Sequence, residues 1–356
     1  MNCCVNCFAD QGLRNRIKAI SSNIGLCDFC ESTEVNIVPC GNLSDLFGPL
    51  IELYINYPKA QKSLKKESSV LLHSHLVSYW PRLFNSFKLK PKDVKLLVYH
   101  IGSQYWLGLE DKLFEQPVEL RMYLEGTASH DTYTIQWEAF AREIKEKNRF
   151  FISQTLDLEL LESTLTRFAK TYPIGTEFYR ARISDEPLTA DFLGKPPKSK
   201  TSPGRANPIG IPYLYISDQE ETTLYETRVS LHESISVGKF IVRVPLNVIS
   251  LKNIANYGPF EIQDRGFEIE EFMLVRPYLL RLEEELSKPV RKQDVNLDYL
   301  PTQYLCEFIK SLGFDAVEYR SAMAKGGYNL AVFDDKNLEC ISTKHYQVKG
   351  LKYDWK

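Results

Sequence analysis

Two cysteine pairs, Cys4-x2-Cys7 and Cys27-x2-Cys30, constrain the start of this chain more tightly than any other feature. Each pair presents two sulfurs from one turn, and the nineteen residues between Cys7 and Cys27 suffice to bring the pairs around a single ion. The spacing is that of a four-thiolate zinc site. Four thiolates leave no open coordination position, so the metal is structural and does not activate water. Incidental, unliganded cysteines are the alternative, Cys3 can replace Cys4 by a one-residue shift, and Cys40 has no assignment. Arg14, Arg16 and Lys18 lie between the pairs. Zinc ribbons also bind nucleic acids, yet three charges read more simply as a solvated helix face.

A chain of 356 residues exceeds one small core and suits two domains. Its 44 basic and 46 acidic residues leave a net charge of -2, so no global field draws nucleic acid or anionic lipid. With 44% hydrophobic and 25% charged residues the composition is that of a folded chain. No window approaches the roughly 18 uninterrupted apolar residues of a membrane span, and MNCCVNCFADQG lacks a charged stretch followed by an apolar one. The chain therefore reads as cytoplasmic, where clustered cysteines point to metal and not to disulfides.

Three segments follow: a zinc-binding segment at 1–40, a mainly helical domain at 41–170 and an α+β domain at 171–356. SDLFGPLIELYINY, SSVLLHSHLVSYW, PKDVKLLVYHI, TYTIQWEAFAREIKEKNRFF and LDLELLESTLTRFAKTY read as helices. In the fourth, Ile135, Phe140, Ile144 and Phe151 recur at spacings that suit one helical face, with Asp131 as its N-cap. From Tyr172-Pro173-Ile174-Gly175 onward, short apolar runs broken by Gly, Pro and Ser replace the long helical periods. EFYRARI, IPYLYIS, SVGKFIVRVPL, DAVEYRS and YNLAVF read as strands; QEETTLYETRVS, FEIEEFMLVRPYLLRLEEEL and TQYLCEFIKSLG read as helices.

Four stretches in this last segment set polar groups beside apolar strands: FYRAR at 178–182, GRANPIGIPYLY at 204–215, TTLYETR at 222–228 and DAVEYRSAMAKGGYNLAVF at 315–333. An arginine facing inward from a strand needs an anion, because an unpaired buried charge is costly. Phosphate suits it, since the planar guanidinium matches its oxygens two at a time. For Arg180 a salt bridge on the sheet face is the alternative, and Arg205, beside Gly204, carries the same ambiguity. Glu226 sits in a helical stretch with Leu224 and Val229 nearby, where a glutamate is most often solvated; Ser321, before a Gly-Gly loop, is most often a turn hydroxyl. The basic run KPPKSKTSPGR at 195–205 reads as a surface loop flanking the pocket. A nucleophile elbow, a Walker loop and an HExxH helix are all missing from the sequence, so acyl-enzyme, P-loop and zinc-protease chemistries lose their main support.

In that order and context, the four stretches resemble the RES family, over roughly residues 171–340. The front, about 1–150, is similar to the N-terminal domain found fused to RES domains and classed with the HEPN helical proteins, where CxxC pairs also occur. The resemblance implies an ADP-ribosyltransferase-like fold and a toxin or anti-phage defence effector that degrades NAD at the nicotinamide–ribose bond, as a glycohydrolase or phosphorylase. Some members modify a protein instead, so ADP-ribosyl transfer is an alternative, and a zinc-ribbon module that only binds nucleic acid is a second. By resemblance, Arg180 and Arg205 hold the pyrophosphate and Tyr215 stacks against the nicotinamide or its ribose. Glu226 is the catalytic carboxylate, and Ser321 hydrogen-bonds the cofactor near the cleaved bond. HEPN ribonucleases share an arginine followed four to six residues later by a histidine. Here Arg82 and Arg121 have none at that spacing, His130 lying nine residues after Arg121. The helical half is thus expected to sense, dock or restrain the RES half and not to cut RNA. An unrestrained NAD-degrading enzyme harms its producer, so the expectation extends to an antitoxin or other regulatory protein, or control by homo-oligomeric assembly.

Overall fold

The computed structural model describes residues 1–56, 70–103, 112–124, 132–154, 156–288 and 295–350. The chain divides into two compact units, Met1–Thr132 with Ile254–Pro277, and Tyr133–Asn253 with Tyr278–Lys356. Asp131, the expected N-cap, lies outside the described residues.

The first unit mixes helices with two small sheets. Strands β1 (Asn2–Cys4), β2 (Asn23–Gly25) and β3 (Val35–Pro39) pair antiparallel in the order β1-β3-β2; β4 (Tyr54–Asn56), β5 (Val70–Leu71) and β6 (Pro117–Leu120) pair in the order β4-β6-β5. SDLFGPLIELYINY, expected as one helix, divides accordingly: Ser44–Ile51 is helical, and the extended-favouring Tyr54 and Ile55 pair with Leu120 and Glu119 of β6. Asp10 is buried and accepts backbone N–H bonds from Leu13 and Phe260, each at 2.9 Å, so one carboxylate serves the first turns of Gln11–Ile20 and Pro259–Asp264. Burial pushes its carboxyl up to about 6. A Cβ at Gly258 would stand 2.0 Å from Asp10 Oδ2, so that position accepts only glycine. On the same first helix Arg16 pairs with Asp264 at 2.9 Å and lies over the Phe260 ring, which corrects the expectation of a wholly solvated face; Lys18 remains exposed.

The second unit is built on one eight-stranded sheet. Its strands are β7 (Ala169–Tyr172), β8 (Glu177–Ile183), β9 (Leu214–Ser217), β10 (Ser234–Val242), β11 (Leu246–Leu251), β12 (Ala316–Arg320), β13 (Tyr328–Val332) and β14 (Leu338–Gln347). They run in the order β14-β10-β8-β9-β13-β12-β11-β7, antiparallel throughout except for the parallel β11–β12 pair. One face packs Phe178, Leu214, Ile216, Phe240, Val248 and Leu330 into a core.

Three strands depart from the sequence reading. LDLELLESTLTRFAKTY ends its helix at Thr166 and continues as β7, an edge strand that pairs with β11. The run SVGKFIVRVPL stops at Val242, because Pro245 cannot donate to a ladder, and β11 begins at Leu246. The mostly exposed LECISTKHYQ forms the opposite edge, β14. In the helix Thr132–Glu146 the buried face is Trp137, Phe140 and Ile144; Ile135 is exposed and Phe151 lies beyond the helix end. Beneath β12, Glu318 is fully buried and bonded to Lys170, Tyr172, Lys252 and Ser250, which joins β7, β11 and β12. Burial opposes its charge, and the two lysines outweigh burial and hold its carboxyl below the usual range.

Candidate active site and cysteine cluster

Strands β8 and β9 meet at a single pair, Tyr179–Ser217. At that split a cavity of about 390 Å³ is lined by Arg180 and Ala181 from one strand and by Tyr215, Ile216 and Ser217 from the other. Successive strand residues point to opposite faces. Three in a row therefore border the cavity with backbone as well as side chains.

Cross-strand register continues the floor. Ser217 pairs with Asn329 of β13, and Asn329 with Tyr319 of β12, so the three side chains share one row. Tyr319 is buried, and burial raises its phenol.

A loop supplies Arg205, and its backbone is tied down on several sides. The Gln303 side-chain amide donates to the carbonyls of Gly204 at 2.8 Å and Asn207 at 3.0 Å, and the Thr302 hydroxyl donates to that of Arg205 at 2.6 Å. The Tyr215 hydroxyl accepts from the Ala206 N–H at 3.0 Å and donates to Asn207 Oδ1 at 2.8 Å. A Cβ on Gly204 would lie 2.4 Å from Asn207 Oδ1 and 2.6 Å from the Tyr215 hydroxyl, so this glycine is what lets the loop close. The Arg205 guanidinium rests over the Tyr319 ring, 5.3 Å from its centre. Burial works against its charge; Tyr319, Tyr299 and Glu226 outweigh that and hold the charge more firmly than usual.

Glu226 comes from the helix Glu220–Thr227, which packs Leu224, with the following Val229, against Ala181, Ile235 and Val237. Thr223 Oγ1 fastens the helix to β8 by accepting the Ala181 N–H at 3.0 Å. The helix ends on Arg228, in the left-handed conformation with φ 51° and also on the cavity wall. Two donors reach one oxygen of Glu226: Ser321 Oγ at 2.5 Å and Asn329 Nδ2 at 2.8 Å, both on Oε1. Ser321 in turn accepts backbone N–H bonds from Met323 and Ala324, so a turn aims its hydroxyl at the carboxylate. Among the described residues Oε2 has no hydrogen-bond partner.

Arg180 stands on the same cavity with its Nη1 sealed from solvent and unpartnered among the described residues. Burial, with Arg182 nearby, pushes its guanidinium down to about 9. Arg205 Nε is likewise buried without a partner. Two guanidiniums with orphaned donors around one cavity form a place for an anion that the chain does not supply.

All five residues expected from the sequence thus gather in one place. The structure adds Tyr319, Asn329, Ser217, Arg228 and the loop anchors Thr302 and Gln303. Asn329 and Tyr319 already lay in the quoted strands, and strand alternation was their only signal; Gln303 carries none, since its partners are backbone carbonyls about 100 residues away.

In the first unit Cys4, Cys7, Cys27 and Cys30 bring their sulfurs within 4.8 Å of one another. The Cys4–Cys30 and Cys7–Cys27 separations are 3.4 Å and the Cys4–Cys7 separation 3.9 Å. A tetrahedral zinc with bonds of about 2.3 Å needs sulfur–sulfur edges of about 3.8 Å, so these residues fit the ion. The fit holds with Cys4 in place. Cys3, the possible substitute, is buried outside the cluster, as is Cys40.

The model of the RES domain matches residues 177–356, which hold every one of these cavity residues. The chain belongs to the RES family. It is similar in structure to a chain of the M.tuberculosis MbcT-MbcA toxin-antitoxin complex, at 16% identity over 54% of this chain and 94% of that one, with a TM-score of 0.33, too distant to carry an argument. No curated protein matches the chain. Among the described residues no helix is long and apolar enough to cross a membrane.

Proposed function

We propose that this RES protein cleaves the nicotinamide–ribose bond of NAD, passing the ADP-ribosyl group to water or phosphate, and acts as a toxin or defence effector held in check by a partner protein. The observation that carries this reading is Glu226: one carboxylate oxygen held by two donors and the other without a hydrogen-bond partner among the described residues, on a cavity shared with two guanidiniums that each have a nitrogen unpartnered among those residues. Arg180 and Arg205 hold the pyrophosphate, and the rings of Tyr215 and Tyr319 form an aromatic wall for the nicotinamide end. As the C1′–N bond breaks, its electron pair leaves with nicotinamide, which departs neutral and needs no acid. The positive charge that develops on the ribose faces the free oxygen of Glu226, which stabilises it and orients the incoming nucleophile. Water then yields ADP-ribose and a proton, and phosphate yields the 1″-phosphate. Zinc, held by Cys4, Cys7, Cys27 and Cys30, stabilises the fold of the first unit and takes no part in this step.

The test is nicotinamide release followed by proton NMR, with purified protein in phosphate and in phosphate-free buffer beside Glu226→Ala. Release by the wild type and not by the variant supports the reading, and the product names the acceptor. Equal release by both contradicts it. A mass increase on a partner macromolecule in place of free product assigns the protein to ADP-ribosyl transfer.

A further inference from the structure

Glu226 Oε1, on its helix, is the end of a relay that begins on β9. Ser217 Oγ donates to Asn329 Oδ1 at 2.7 Å, and Asn329 Nδ2 donates to Glu226 Oε1 at 2.8 Å. Both relay residues are buried, at 3% and 4% exposure, which limits competition from water for these bonds. An amide has a donor end and an acceptor end, and turned over it would set an oxygen against the carboxylate. The carboxylate accepts only, so it draws the NH2 end of the amide, and Ser217, whose hydroxyl can donate or accept, donates to the amide oxygen that this leaves facing it. The β9–β13 register makes the arrangement local, since Ser217 and Asn329 are directly paired.

We propose that Asn329, braced by Ser217, is a positioning residue that holds Glu226 by Oε1 and so selects Oε2 as the oxygen left for the reacting sugar. This rests on the reading of Glu226 as the stabilising carboxylate. Without the Asn329 donor, Oε1 keeps only Ser321, and the carboxyl can rotate so that either oxygen faces the cavity. The other titratable and charged groups near Glu226 are Arg205, the phenol of Tyr319, and Arg180, Arg228 and Tyr299 on the same cavity. Arg205 remains in every variant below, so a change reports the relay and not a loss of the neighbouring cation.

The experiment follows the side-chain carboxyl carbon of Glu226 by ¹³C NMR across a pH titration, the resonance being assigned by its loss in Glu226→Gln. It needs no substrate. Loss of one hydrogen bond to the ionised form moves the midpoint of Asn329→Leu upward by about one pH unit, and the acidic limb of nicotinamide release moves with it. Ser217→Ala leaves the amide oxygen without its brace, loosens the Asn329 donor and shows a smaller shift in the same direction. Asn329→Asp places a second carboxyl beside the first and shifts the titration furthest. A purely structural role lowers melting temperature or rate equally at all pH values and leaves the midpoint fixed. An unchanged midpoint in folded Asn329→Leu, or in Ser217→Ala should the leucine variant not fold, overturns the proposal. Should the midpoint move while the wild type releases no nicotinamide, the positioning stands and the NAD reading falls.

Discussion

The cysteine cluster and the Glu226 cavity solve opposite problems with buried polar groups. In the cluster, four sulfurs face one another and their geometry leaves a metal no vacant position. In the cavity, hydrogen bonds tie down the Arg205 loop and one carboxylate oxygen, while among the described residues Arg180 Nη1, Arg205 Nε and Glu226 Oε2 find no partner. A closed polar site contributes to folding; one with leftover donors and acceptors costs stability unless a ligand completes it. The difference separates the structural from the chemical half of the protein without reference to any relative.

The contrast makes graded predictions. The largest effect belongs to the closed site: Cys7→Ser abolishes the single bound zinc counted by elemental analysis and melts the first unit, since structural zinc contributes roughly 10 kcal/mol in small zinc domains. Zinc retained at full stoichiometry would put the cluster among incidental cysteines. Next comes Glu226→Ala, which lowers the rate of nicotinamide release by roughly 10²–10³.

Acid stability sharpens the comparison from the first unit. Asp10 titrates at about 6 in the folded chain against 3.8 when exposed, so its folded pKa is raised. Its contribution is complete below about pH 3.8 and is lost as pH rises through 6, by up to ~3 kcal/mol. Asp10→Asn flattens that slope in urea melts taken between pH 4 and 6, and an unaltered slope would assign it elsewhere. The smallest effect is that of Arg180→Ala, which raises the NAD dissociation constant about tenfold while sparing the chemical step. It also raises the thermal stability of the free protein, because it removes an unpaired buried donor. Destabilisation on that substitution would show that Arg180 is a structural cation.

The two regions were also legible to different degrees. The cysteine spacing is short-range, and four residues within 27 positions announce the cluster. The cavity draws on residues from Arg180 to Asn329, and no spacing rule links them. Family resemblance found Arg180, Arg205, Tyr215, Glu226 and Ser321, whereas chemical reasoning on each residue alone left Arg180 and Glu226 ambiguous. What sequence could not provide was tertiary partnering: that Ser321 addresses Glu226, and that the Tyr215 hydroxyl is engaged by the Arg205 loop. In the fold, EFYRARI and YNLAVF were plain as short apolar runs bounded by Gly, Pro and Ser, and β14 was not, because its mostly exposed edge strand carries a polar sequence.

The measurement that tests the central claim most directly pairs binding and cleavage on one sample of Glu226→Gln. Glutamine keeps an acceptor where Ser321 and Asn329 donate and removes only the charge. The account predicts that calorimetry finds NAD bound to this variant within about threefold of the wild-type affinity, while nicotinamide release falls by roughly 10²–10³. Cleavage at the wild-type rate with the charge gone would contradict it.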